Sequence, residues 1–332
     1  MARNVLILGG TSWLGGALAR GALDRGHQVT CLARGESGGV PERAEWVHAD
    51  RREPGAYDAV AERRWDAVLD VGRQPEQVRS AVAALATQAE HWSYVSTSSV
   101  YADDSTPDQD ESAALLAPWA GTGEAAAEDY GSAKVACEVA CREAVPAEHL
   151  LVARAGLIVG YGDLSDRFGY WPARLARATE RSRVLVPPRD AATQVLDVAD
   201  LTAWLVDAAE EAIAGTFNAT GDTVSLADIL AECERAVGGN VACVEVDQAW
   251  LLEQEVEPWG GPESLPLWLP QPDYAGHATR SNLAAKRSGL RLRALCETVR
   301  DALAWERELG LHRSRRAGLS AEREADLLRM VT

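Results

Sequence analysis

Apolar and polar positions along the chain follow two alternating rhythms. Asn4–Leu8 is a short apolar run rich in branched side chains, and it ends in glycines. From Trp13 to Leu23 apolar residues return at helical spacing, so this opening reads as strand, tight turn, helix. Gly26 stops the helix. Gln28–Leu32 then reads as a second strand, Glu45–His48 as a third, Trp65–Val71 as a fourth and His91–Ser96 as a fifth. Helices are expected over Glu76–Ala89 and from Tyr130 onward, before a sixth strand at His149–Ala153. Strands alternating with helices predict an α/β fold with a doubly wound parallel sheet.

Beyond Arg154 the rhythm loosens. Helices are expected at 167–180, 200–212, 225–237, 281–288 and 294–309, with short strands at 184–186, 216–219 and 241–246. This is the pattern of a smaller α/β portion. Residues 256–276, rich in Pro, Gly and Trp, read as a long loop, and such loops are often functional. An amphipathic helix follows Ser320, which can cap it.

Composition narrows the partners. The 332 residues carry a net charge of -17, which repels nucleic acid and anionic membranes, so neither is expected. No segment approaches the roughly 20 apolar residues of a membrane span. The apolar run at the amino terminus is too short for a signal peptide. The six cysteines include no C-x-x-C pair. Cys137 and Cys141 share a helix face without a nearby His, and read as buried small side chains rather than a metal site or disulfide. That usage suits a reducing cytoplasm. Between Ser80 and Ala133 there is no Lys or Arg, while Asp103, Asp104, Asp108, Asp110, Glu111, Glu124, Glu128 and Asp129 accumulate. This stretch is either a solvated loop or a flap over the site that disfavours anions.

Four pieces bear chemistry. Gly9-Gly-Thr-Ser-Trp-Leu-Gly15 follows the first strand and opens a helix, where unpaired N–H groups can hold a pyrophosphate. Ser12 stands where the middle glycine of such loops usually lies, and its hydroxyl could bond a phosphate. After the second strand come Ala33 and Arg34, where NAD sites usually carry an acid. Arg34 therefore favours NADP(H) over NAD(H), with Glu36 the contrary signal. Tyr130 and Lys134 lie four apart on one helix face. A cation there lowers the pKa of a phenol that would otherwise titrate near 10. Residues 94–101, YVSTSSVY, place hydroxyls at the end of the fifth strand, facing the crevice where such sheets bind ligands.

Together these pieces resemble the short-chain dehydrogenase/reductase superfamily, in its extended branch, the NAD(P)-dependent epimerase/dehydratase family. The glycine loop without its middle glycine resembles atypical, reductase-like members. The resemblance runs over nearly the whole chain. It implies a Rossmann dinucleotide-binding portion over residues 1–155 and a mostly helical substrate-binding portion over 156–332, some of whose segments return to the sheet. It also implies Tyr130 as acid/base and Lys134 as the residue that lowers its pKa and bonds the nicotinamide ribose. Thr97, four before Tyr101, would orient the carbonyl, with Ser98 as second choice. Gly9, Thr11, Ser12, Trp13, Leu14, Gly15, Arg34 and Asp50 would bind the cofactor, Asp50 at the adenine. Ser98, Tyr101, Arg167, Trp171, Gln194 and Trp259 are expected at the substrate, and Asp197 as a further polar contact.

Ser98 and Ser99 stand where the family's sugar dehydratases carry an Asp–Glu pair, which argues against dehydration. Arg167, Arg174, Arg177, Arg181, Arg183 and Arg189 offer cations for a nucleotide-sugar diphosphate, or simply line solvated helix faces. Phe168, Tyr170, Trp171, Trp259 and Trp268 suggest an aromatic pocket for a flat or apolar carbonyl compound. The leading expectation is an NADP(H)-dependent oxidoreductase acting on the carbonyl or alcohol of a small aromatic or sugar-like metabolite. The alternatives are a nucleotide-sugar epimerase with retained NAD, and a non-catalytic cofactor sensor. The intact Thr97, Tyr130 and Lys134 speak against the sensor. Family analogy adds a homodimer through the helix bearing Tyr130.

Overall fold

The structure is a computed structural model that describes residues 1–178, 182–239 and 241–331. The first half of the chain forms β1 (Asn4–Leu8), α1 (Trp13–Asp24), β2 (Gln28–Ala33), β3 (Glu45–His48), α2 (Asp58–Ala61), β4 (Ala67–Asp70), α3 (Pro75–Leu85), β5 (Trp92–Thr97), α4 (Tyr130–Ala144) and β6 (Leu150–Ala155). The second half forms β7 (Leu157–Val159), α5 (Arg167–Ala176), β8 (Arg183–Val186), β9 (Ala192–Asp197), α6 (Val198–Glu211), β10 (Gly215–Ala219), β11 (Thr223–Ser225), α7 (Leu226–Val237) and β12 (Ala242–Glu245). It ends with α8 (Gln248–Glu253), β13 (Glu257–Trp259), β14 (Ser264–Pro266), α9 (Leu283–Arg287), α10 (Leu295–Leu309) and α11 (Ala321–Met330).

Seven parallel strands make the central sheet, in the order β10-β6-β5-β4-β1-β2-β3. Alternate residues of β1 enter different cores: Val5 and Ile7 pack with α1 and α6, Leu6 and Leu8 with α3 and α4. Covering both faces is why β1 reads as an unbroken apolar run. The chain reverses its winding between β1 and β4, and ligands bind such sheets at that switch point, beyond the strand ends.

A third core forms where α5, α7 and α10 pack together. Phe168, Tyr170, Trp171 and Trp268 are buried in it, so four of the five aromatics expected in the pocket anchor this core instead. Trp171 gives its indole N–H to Pro266 O at 3.0 Å, and it is not a substrate residue. The expected loop over 256–276 contains two short paired strands, β13 and β14. α11 is pinned to the rest of the fold through Arg174–Glu324 (2.6 Å) and through Arg183, which donates to Leu328 O and Val331 O. All six cysteines are free, and no group of His, Cys, Asp or Glu among the described residues could hold a metal. No helix among the described residues is long and apolar enough to cross a membrane.

Candidate active site

The turn from β1 to α1 is held by two glycines in contact. Gly9 has a φ of +96°, and a Cβ on Gly15 would lie 2.1 Å from Gly9 O. Neither position admits a side chain. Ser12 caps α1: its hydroxyl accepts from Gly15 N–H at 3.1 Å and donates to Gly9 O at 2.8 Å. Its only proton is therefore spent within the loop. The N–H groups of Thr11, Trp13 and Leu14 have no partner among the described residues, so the helix start offers a cluster of donors for an anion.

A groove of about 220 Å³ opens in front of this turn, lined by Gly9, Thr11, Ser12, Arg34, Glu36, Asp50 and Arg73 among others. Its charged walls are largely paired among themselves. Arg34 meets Glu36 at 2.9 Å and Asp50 at 3.7 Å. Asp50 also takes Arg52 at 2.6 Å, and that hydrogen bond, with the surrounding cations, lowers its pKa to about 2. Arg51 turns inward and grips the fully buried Asp70 with two hydrogen bonds of 2.8 and 2.9 Å. Asp70 accepts in turn from Gly72 N–H at 2.8 Å, which fixes the exit of β4 beside the groove. Leu14 lies outside the lining of this groove and packs half-buried against the core under α1.

The chemistry-bearing side chains stand further along the strand ends. Tyr130 opens α4 and is 39% exposed, whereas Lys134, one turn on, is buried. Lys134 donates to Gly72 O (2.9 Å) and Val95 O (2.5 Å), and its ammonium lies 4.4 Å from the centre of the Tyr94 ring. A Cβ on Gly131 would sit 2.3 Å from Ser99 O, so this glycine lets α4 press against the 98–100 turn and brings Tyr130 beside Thr97 and Ser98. The loop alone gave no sign of that role. Thr97 accepts from Ser99 N–H at 3.2 Å and donates to Ser99 Oγ at 3.3 Å, while the Ser98 hydroxyl has no partner among the described residues.

Tyr130 belongs to two cavities. One, of about 220 Å³, is shared with Arg73, Gln74 and the backbone of 125–127. The other, of about 470 Å³, includes Trp13, Thr97, Ser98, Asp163, Arg167, Gln194, Trp259, His277 and Arg316. Arg73 lines both the first of these and the glycine-turn groove, so the three cavities lie in a row, each adjoining pair sharing one wall residue, Arg73 and then Tyr130. Trp13, expected at the cofactor, stands in the larger cavity and donates to Tyr161 O at 3.0 Å.

Of the expected substrate residues, Ser98, Arg167, Gln194 and Trp259 line this larger cavity. Gln194 acts as a brace, its amide committed to Gly221 O, Arg280 O and Arg280 N–H. Tyr101 lies outside it: the ring is buried, and its hydroxyl donates to Asn218 (2.5 Å) and accepts from Arg154 (3.1 Å). Asp197 also lies elsewhere, capping α6 through Ala199 N–H at 2.9 Å. The arginine series is dispersed. Arg174 and Arg189 pair with Glu324 and Glu245, and Arg183 holds α11. Arg177 lines a separate cavity beside α11, and Arg181 lies outside the described residues.

Arg167 alone of the series faces the larger cavity. Its guanidinium has no ion pair among the described residues and lies 5.3 Å from the centre of the Trp259 ring. Burial pulls its pKa down, offset by Asp163 and Tyr130. Burial likewise raises the pKa of Asp163. Asp166, immediately before Arg167, is clasped from the far end of the chain: it binds the guanidinium of Arg313 and the N–H of Arg316 (2.7 Å), while buried Glu306 takes Arg315 at 2.5 Å.

A family model, the NAD dependent epimerase/dehydratase family, matches residues 5–219. No curated protein matches the chain. Among solved structures, a candidate epimerase from Burkholderia cenocepacia J2315 is 22% identical, with a TM-score of 0.70, over 92% of this chain and 98% of that one. Bordetella bronchiseptica WbmH, solved in complex with NAD+, is 16% identical at a TM-score of 0.66, over 93% of this chain and 100% of that one. UDP-glucuronic acid 4-epimerase from Bacillus cereus, solved with NAD, is 13% identical at a TM-score of 0.65, over 94% of this chain and 98% of that one. At these identities the likeness is one of fold.

Proposed function

The chain belongs to the NAD dependent epimerase/dehydratase family and is an NAD(P)-dependent enzyme of the short-chain dehydrogenase type, and from that premise we propose that it interconverts a carbonyl and an alcohol on a small substrate. The observation that carries this reading is the row of cavities from the glycine turn to the larger cavity, with Tyr130 as the wall shared by the last two. The free N–H groups of Thr11, Trp13 and Leu14 and the side-chain-free approach of Gly15 fit a pyrophosphate. When bound, the nicotinamide supplies or accepts the hydride. Tyr130 gives the proton to the carbonyl oxygen, or takes it from the alcohol, and Lys134 is the buried cation one turn behind it, its ammonium held by Gly72 O and Val95 O. Thr97 and Ser98 hold the oxygen from the other side. Trp13 and Trp259 supply apolar walls, and Arg167 an unspent cation for an acidic substituent.

Arg34, with Arg73 nearby, supports NADP(H), because the ribose 2′-phosphate would find a guanidinium at the end of β2. Fluorescence titration with NADPH and NADH tests this. Tighter NADPH binding is expected, and equal or tighter NADH binding would refute the preference. Epimerisation of a nucleotide sugar is the second reading, favoured by the family and by the size of the larger cavity. The dispersal of the arginine series weighs against it, since one guanidinium is a thin clamp for a diphosphate.

A further inference from the structure

The larger cavity contains a histidine that the reaction above does not use. His277 lies in the segment between β14 and α9, and this segment is fastened to residues 104–109. Gly276 donates to Asp104 O at 2.7 Å, Asp108 to Thr279 O at 3.1 Å and Ser281 to Gln109 O at 3.0 Å. A Cβ on Gly276 would meet Thr106 O at 2.1 Å, so the two strands of chain cannot separate or slide easily. Across this seam, the His277 Nδ1 lies 3.2 Å from Asp104 Oδ1. The carboxylate is fixed in turn by Arg280, a fully buried guanidinium that bonds Asp104 at 2.9 Å and Asp103 O at 2.7 Å and lies 4.3 Å from the centre of the Tyr101 ring. The imidazole stands edge-on to Trp259, with centroids 5.0 Å apart. A carboxylate at Nδ1 selects the tautomer whose Nε2 lone pair is free. Nε2 has no partner among the described residues, and the ring lines the cavity that holds Tyr130 and Thr97. Other ionisable groups around it are Asp163, Arg167, Tyr274 and Arg316.

We propose that His277, positioned by Asp104, is a second acid–base group of this cavity, which exchanges a proton with the carbon next to the substrate carbonyl. The proposal rests on the carbonyl chemistry assigned above. Nε2 takes the proton as the C–H bond breaks. The electron pair becomes the new C=C bond, and the carbonyl π pair moves onto oxygen, where the Tyr130 and Ser98 hydroxyls can donate to it. Return of a proton from Nε2 restores the ketone, with solvent hydrogen in place of the original. No electrons leave the substrate. The substrate class is thus a ketone, or an alcohol oxidised to one, with an acidic C–H beside it.

Phenylacetone and phenylpyruvate, each with NADP+ in D2O, are suitable probes, because ketone and oxidised cofactor cannot exchange hydride. Proton NMR should show deuterium entering the CH2 of at least one probe, and His277→Gln should slow that entry by about 100-fold or more. Asp104→Asn should slow it by about tenfold while shifting the His277 tautomer ratio in nitrogen-15 spectra, which a merely structural carboxylate would not do. Circular dichroism establishes that both variants fold. Two results overturn the proposal: no enzyme-dependent exchange with either probe, or exchange that His277→Gln leaves intact. An Nε2-protonated His277 in the wild type would overturn it independently of any probe. Exchange without NADPH-driven reduction would instead count against the hydride-transfer reading and leave His277 standing.

Discussion

The glycine-turn groove and the larger cavity are built on opposite plans. Every wall of the groove comes from residues 9–77, and its charges are largely satisfied: Arg34 with Glu36, Asp50 with Arg52, Arg51 with Asp70. The cavity is assembled from segments spread between Trp13 and Arg316, and it keeps groups unspent: the Arg167 guanidinium, the Ser98 hydroxyl and the outer nitrogen of His277. A buried polar group without a partner destabilises a fold. Such groups persist where a ligand completes them, and this contrast fits the proposed division of labour: shape and backbone donors in the groove, side-chain recognition and proton transfer in the cavity.

Tyr130→Phe should separate the two most sharply. Turnover of any accepted substrate should fall about 1,000-fold, while dinucleotide affinity measured by fluorescence stays within a factor of two. Asp70→Asn attacks the paired side. It strands the inward Arg51 guanidinium, so chemical denaturation should show a loss of about 3–5 kcal/mol, with weaker dinucleotide binding. The matching change on the unpaired side is Arg167→Gln. It removes a half-buried charge that makes no ion pair among the described residues and feels Asp163 only at longer range, so stability should stay within about 1 kcal/mol, while KM for an anionic substrate rises and KM for a neutral one does not. A fall in stability like that of Asp70→Asn would erase the contrast.

Acidity gives the smallest effects, with opposite signs in the two regions. Asp50 has its pKa lowered in the fold to about 2, so its contribution is present above the unfolded value of about 4 and fades as pH falls from 4 toward 2. Asp163 is raised by burial, so its charged form costs stability at neutral pH and protonation relieves that cost. Thermal melts should show Asp50→Asn destabilising at pH 7 and near neutral at pH 2. Asp163→Asn should stabilise slightly at pH 7, with no benefit in acid.

The same contrast decided what the sequence could reveal. β1 to β6 of the central sheet, α1, α3 and α4 were legible because short runs rich in apolar residues alternate with stretches of helical spacing. β7, β9 and the short pair β13–β14 were not: β7, β13 and β14 have only three residues each, and β9 mixes Thr193, Gln194 and Asp197 into its apolar positions. In the groove and at the strand ends, motif spacing located the glycine turn, Arg34, Thr97, Tyr130 and Lys134. In the cavity it found Arg167, Gln194 and Trp259, yet it also nominated Trp171 and Tyr101, which tertiary packing buries. His277 left no local signal at all, and Asp104 stood out only as one acid of the stretch between Ser80 and Ala133. They lie far apart along the chain, and only the seam between their segments makes them a pair.

The clasp on Asp166 has a consequence for the order in which the enzyme comes into being. Arg313 and Arg316 hold the residue that precedes Arg167, and both are translated well after residues 9–77, which line the groove. Domains fold from the amino terminus during synthesis. The nascent chain can thus complete its dinucleotide groove on the ribosome while the catalytic chamber still lacks a wall. On the proposed reading, the wall of the larger cavity is completed only once Arg316 is made, so a product that stops before it is expected to bind cofactor but not to process substrate.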